Sequence, residues 1–113
     1  MEFYGFTARV PRTIKIIGDT GAGISVLGGN IIKQYKEGRR RIEWKKTEKE
    51  LRVTGPTGEE MKIIGKTKIE IEIGGKFFII DCVGVEGVEP DLLLSFEFLK
   101  TNLMEIVKRE III

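Results

Sequence analysis

The chain contains no histidine. That absence removes Ser–His and Cys–His nucleophile pairs and the commonest metal ligand. A single cysteine, Cys82, excludes an internal disulfide framework. It lies inside an apolar run, where a thiol behaves as a small hydrophobe, and it fits a reducing compartment. No apolar run approaches the ~20 residues of a membrane span, and the charged start does not read as a signal peptide. Net charge is only +2, too small to imply a polyanionic partner. Proline is scarce, and Pro11, Pro56 and Pro90 each mark a turn. Any chemistry must therefore come from carboxylates, lysines, hydroxyls or backbone.

What is present suits one folded domain, residues 1–113, with a modest core: 42% of residues are hydrophobic and 32% charged. The chain is organised around Ile16-Ile17-Gly18-Asp19-Thr20-Gly21-Ala22-Gly23-Ile24-Ser25-Val26-Leu27. An apolar run arrives at a carboxylate, turns through glycines and leaves as a second apolar run. Asp19 is either the cap of an Asx-type turn or a reactive group held between two buried segments. The triplet Asp-Thr-Gly alone does not decide between them.

Taken in order, Phe3 to Val10 and Thr13 to Ile17 read as strands around a turn at Pro11. Ile24 to Leu27 reads as a short strand that Gly28-Gly29 breaks. Ile31 to Tyr35 fits a helical turn or a strand equally well. From Lys33 to Arg52 nine Lys/Arg stand against four Glu, with Arg41 to Trp44 as an exposed strand. Such a run is either a solvated face or a phosphate-contacting patch with Tyr35 and Trp44 as stacking residues. Leu51 to Thr54 and Glu60 to Ile64 flank Gly55-Pro56-Thr57-Gly58, a β-hairpin with a weakly anchored, mobile tip. Thr67 to Ile73 alternates strictly, with Ile69, Ile71 and Ile73 facing a core. Gly74-Gly75 supplies a tight turn, and the return strand Phe77 to Val85 reads as buried on both faces. Leu92-Leu93-Leu94 leads to a helix start at Phe96 to Lys100, with Ser95 or a neighbour as N-cap. Ile111-Ile112-Ile113 needs cover, from its own domain or from another chain. The sum is all-β, a barrel or sandwich with one late helix.

These pieces together resemble a retropepsin, the small aspartic protease of retroviruses and LTR retrotransposons. The resemblance is carried by Gly18-Asp19-Thr20-Gly21-Ala22, the hairpin tip Gly55-Pro56-Thr57-Gly58, Ile71 to Phe77, and Pro90 to Leu99. It covers nearly the whole chain and lies closer to the retrotransposon branch. It implies an all-β acid-protease barrel with one short C-terminal helix, working as a twofold homodimer. Only one Asp-Thr-Gly is present, so one subunit would supply half a site, and Asp19 would meet its symmetry mate across the axis. By similarity, Thr20 would lock the two turns together and Gly21 would offer its N–H to the carboxylates. Ala22 would leave room for the segment ending in Leu94. Gly55, Pro56, Thr57 and Gly58 would form a flap over an extended peptide or polyprotein, with Ala22, Leu94 and Ser95 completing the binding surface. The apolar tail would interleave in a dimer sheet. No cofactor, metal, membrane or nucleic-acid partner is implied, and the location would be intracellular, in cytoplasm or a virus-like particle.

The chain departs from the family at Ser95, where a glycine is usual, at Phe96 in place of an arginine, at Glu97 in place of Asp, and at Gly23. The Ser95 side chain is expected to crowd Asp19 or alter its hydrogen bonds. Two further readings therefore stand beside the protease: a weak or inactive dimerisation and peptide-binding module of the same fold, and a small barrel binding RNA through Lys33 to Arg52.

Overall fold

The structure, a computed structural model, describes residues 2–7, 12–18, 23–37, 42–47, 51–55 and 57–102. Eight strands and a helix run in the order β1 (Glu2–Thr7), β2 (Arg12–Gly18), β3 (Val26–Leu27), α1 (Gly29–Glu37), β4 (Val53–Thr54), β5 (Glu60–Met61), β6 (Ile63–Ile73), β7 (Lys76–Val85) and β8 (Leu92–Leu94). A further helical segment occupies 96–102. Among the described residues no helix is long and apolar enough to cross a membrane.

Six of the strands close into a barrel ordered β1-β2-β8-β3-β7-β6. The β6–β7 hairpin is its longest wall. Alternating isoleucines set its register, with Ile69 opposite Ile80 and Ile71 opposite Phe78. A one-residue slip would expose the whole set, so burial itself fixes the pairing. Gly74 and Gly75 turn this hairpin at φ of 57° and 84°, backbone that only glycine adopts without strain. The core is built from branched residues: Ile14, Ile16, Leu27, Ile31, Ile32, Ile71, Ile73, Ile80, Leu92 and Leu94 are all but fully buried. Each contributes roughly 1.5–3 kcal/mol of transfer free energy.

Several elements differ from the sequence expectations. The undecided stretch at Ile31 is helical, because Ile31 and Ile32 both enter the core from α1. The fold thus carries a helix before the late one. Residues 42–44 form no strand; Ile42 is buried, and only Lys45 bridges to Lys66. The return strand β7 is not buried throughout. Phe77 and Ile79 stand 59% and 70% exposed, because the outer face of its first half carries no layer among the described residues. Only beyond Asp81 does cover arrive on both sides, from Val26, Val53 and Met61 on one and the barrel interior on the other. The expected strand from Ile24 shrinks to Val26–Leu27.

The helix at 96–102 begins where expected. The Ser95 hydroxyl accepts the Phe98 N–H at 3.2 Å, and the Ser95 carbonyl accepts the Leu99 N–H at 3.0 Å. This is N-cap geometry, satisfying a donor the helix leaves open. Phe98 then meets Phe78 edge-to-face at 5.7 Å, pinning the helix to β7.

Candidate active site

Asp19, Thr20, Gly21 and Ala22 lie outside the described residues, as does Pro56. The described residues on either side of 19–22 converge. On the incoming side Gly18, the last residue of β2, lies parallel to Leu94 in β8. On the outgoing side the Ser25 hydroxyl accepts the Ser95 N–H at 3.0 Å, and the Ser25 carbonyl accepts the Val83 N–H at 3.0 Å. Both ends are therefore held at the same level of the barrel, on adjacent residues of one strand end. Ser25 and Ser95 are 4% and 7% exposed, so this hydrogen bond is shielded from competing water.

Beside this anchorage opens a cleft of about 1090 Å³. Gly23, Ile24, Ser25 and Ser95 line it, together with Lys45, Lys66, Lys68 and Asp81 among others. Its size is that of a ligand site. Leu94 is fully buried among the core isoleucines and does not line this cleft. Ser95 does line it, but its hydroxyl is engaged in capping the helix.

The other two aspartates are committed elsewhere. Buried Asp91 accepts the Lys15 N–H through its carboxylate at 2.9 Å, while its carbonyl accepts the Gly28 N–H at 2.8 Å. It ties the 88–91 turn to β2 and β3. Asp81 is exposed and lies 3.9 Å from the Lys68 ammonium. Burial, with Asp81 adding to it, pushes the Cys82 thiol up to about 12, so it holds no thiolate at neutral pH and is no nucleophile. Among the described residues no cluster of Cys, Asp and Glu is arranged to hold a metal ion.

Above the barrel, β4 and β5 pair only at Val53–Met61 and Thr54–Glu60. Gly55, Thr57 and Gly58 form their tip: the Gly58 N–H donates to the Gly55 carbonyl at 3.0 Å, and Gly58 sits at φ 85°. Glu59 accepts from both the Thr57 hydroxyl and the Thr57 N–H. The Thr57 hydroxyl holds the Glu59 carboxyl below its ordinary value, with a backbone hydrogen bond of Glu59 adding to the effect.

Trp44 is the residue that sequence reasoning placed wrongly. It is half-buried, and its indole lies against β6 and β7 where Gly65 pairs with Gly84. A Cβ on Gly84 would sit 2.3 Å from the Trp44 ring, so the seat exists only because both residues lack side chains. This packing role occupies one side of the indole. Ser25 was passed over, although a hydroxyl inside an apolar run, Ile24-Ser25-Val26, was itself a signal of a buried hydrogen bond.

A family model described as retroviral aspartyl protease matches residues 7–113. No curated protein matches the chain. Among solved structures, EIAV protease complexed with the inhibitor HBY-793 superposes with a TM-score of 0.62 at 17% identity, covering 89% of this chain and 86% of its own. The retroviral protease-like domain of Ddi1 from Leishmania major follows at 0.60 and 14% identity, covering 91% and 78%. A retropepsin-like aspartic protease from Rickettsia conorii gives 0.52 at 19% identity, covering 88% and 68%. At these identities the structural likeness speaks for the fold alone.

Proposed function

The chain belongs to the retroviral aspartyl protease family, and from that premise we propose that it is one half of a homodimeric aspartic endopeptidase. Asp19 is the reactive acid. Residues 1–113 form a single protease domain, and its substrate is an extended segment of a polyprotein. The observation that carries this reading is the convergence of Gly18 and Ser25 on Leu94 and Ser95 at the edge of a cleft large enough for a peptide. Fixed flanks on both sides of Asp19 are what a group that must meet its symmetry mate requires.

Chemically, two Asp19 carboxyls a few Å apart cannot both ionise, so they share one proton. The ionised member takes a proton from a bound water, the water attacks the scissile carbonyl, and the protonated member hydrogen-bonds the developing oxyanion. Thr20 bonds across the axis and Gly21 offers its N–H to the dyad. Asp81 and Asp91, bound to Lys68 and to the Lys15 backbone, leave Asp19 as the acid available for this work. The tip at Gly55, Pro56, Thr57 and Gly58 closes over the peptide, and Ala22, Leu94 and Ser95 support its floor, Leu94 from inside the core. Capping of the helix by the Ser95 hydroxyl gives the side chain that replaces the usual glycine a structural place.

The test is cleavage of a peptide library at pH 4 to 7, read by mass spectrometry, by wild type and Asp19→Asn. Loss of general acid–base catalysis predicts a fall of ~10²–10⁴-fold in kcat/KM. Cleavage that persists in Asp19→Asn, or that scales with a monomer at dilution, overturns the proposal.

A further inference from the structure

Lys45 and Lys66 are placed together by the fold at a cost. Each backbone N–H donates to the other's carbonyl, at 2.9 Å and 2.8 Å, in an isolated antiparallel bridge. Directly opposed residues of such a pair project from the same face with Cβ atoms about 5 Å apart, and like charges there repel. Neither ammonium belongs to an ion pair among the described residues, whose pairs are Lys15–Glu2, Arg52–Glu60 and Lys68–Asp81. The backbone beneath the pair is braced from both sides. Gly65, the neighbour of Lys66, lets the 44–45 backbone approach, and Trp44, the neighbour of Lys45, is seated on Gly65 and Gly84. Both lysines are exposed, and both line the cleft together with Gly23, Ile24 and Ser25. Once Lys68 and Asp81 neutralise each other, the charged groups left on the described lining are these two lysines and Glu43.

We propose that Lys45 and Lys66 form a specificity site for a carboxylate, selecting a peptide that carries Glu or Asp at one position near the scissile bond. This rests on the proteolytic reading of the same cleft. An extended peptide turns every second side chain toward one wall, so one substrate position faces the pair. A carboxylate there relieves the repulsion between the lysines as it gains two cationic partners.

The experiment separates this proposal from the activity. Asp19→Asn protein, which retains peptide without turning it over, is titrated by fluorescence polarisation at pH 6 and low salt. The peptides form matched sets in which one position at a time is Glu, Gln or Lys. At one position Glu should bind about tenfold more tightly than Lys, since attraction is replaced by repulsion. Lys66→Glu or Lys45→Glu should abolish or reverse that ratio, and Lys66→Arg should keep it. A ratio within about twofold at every position, or one that neither reversal alters, overturns the proposal. So does single-stranded RNA binding that depends on both lysines while no acidic peptide binds. Wild-type cleavage run in parallel keeps the two claims apart: peptides cut without charge preference remove only the lysine site. Acidic peptides bound in the Lys66-dependent way but never cut remove only the protease.

Discussion

The β6–β7 hairpin pairs at ten positions around Gly74-Gly75, whereas β4–β5 pairs at two around a tip containing Gly58. Both turns use glycine at positive φ, so the local chemistry of reversal is the same in each. What differs is what the arms bury. The long hairpin sends Ile69, Ile71, Ile73, Phe78 and Ile80 into the core, while the short one offers only half-buried Val53 and Met61 to a satellite cluster around Val83 and Val85. Turn residues thus decide that a hairpin forms, and buried apolar area decides whether it is a fixed wall or a lid that opens at low cost.

The sharpest way to break the contrast is to truncate equivalent side chains in the two hairpins. Ile71→Ala, at a site 1% exposed, should cost about 2–5 kcal/mol in denaturant unfolding. Val53→Ala should cost under about 1 kcal/mol and, on the proposed reading of this hairpin as a flap, raise KM instead. Equal losses at the two sites would dissolve the distinction between wall and lid. A middling effect is expected from Gly84→Ala, which sets a methyl 2.3 Å from a rigid ring. Overpacking of this kind costs about 1–3 kcal/mol. Trp44 is the sole tryptophan, so a red shift in fluorescence reports its displacement directly.

The smallest effect belongs to the tip itself. The Glu59 carboxyl titrates below its ordinary value of 4.5 when folded. Its tie to Thr57 is therefore intact above about pH 4.5 and is lost as pH falls through the lowered value. Hydrogen exchange at the Thr57 amide should accelerate over that window in wild type and be fast and pH-flat, after intrinsic correction, in Glu59→Gln. Global stability should not change, since the group is fully exposed. An unfolding midpoint that shifted with Glu59→Gln would show the tip to be part of the wall's cooperative unit.

The same contrast explains what could be read from sequence. The strict alternation of Thr67 to Ile73, the Gly-Gly turn and the Ser95 cap are local devices whose meaning does not depend on the rest of the chain, and each took the form expected. Burial is not local. Phe77 and Ile79 look like core residues in sequence, and only the layer arrangement shows their face uncovered by the described residues. Trp44 looked like a surface aromatic in a basic run, because nothing near it in sequence announces the Gly65–Gly84 seat some twenty and forty residues away. For the site, Asp19 with its flanking glycines stood out in the chain, while Ser25, Lys45 and Lys66 acquire meaning only once strands distant in sequence lie side by side.

β8 is three residues long and the last of the described strands, yet it lies between β2 and β3, two of the earliest. A ribosome that has translated as far as Pro90 has made the strands on either side but not the one that lies directly between them. Until Leu92 to Ser95 emerge, Gly18 has no Leu94 beside it and the Ser25 hydroxyl has no amide to receive. The Gly18–Leu94 and Ser25–Ser95 links thus form in a single late event, and a nascent chain that stalls before that point holds Ser25 only through its carbonyl on Val83.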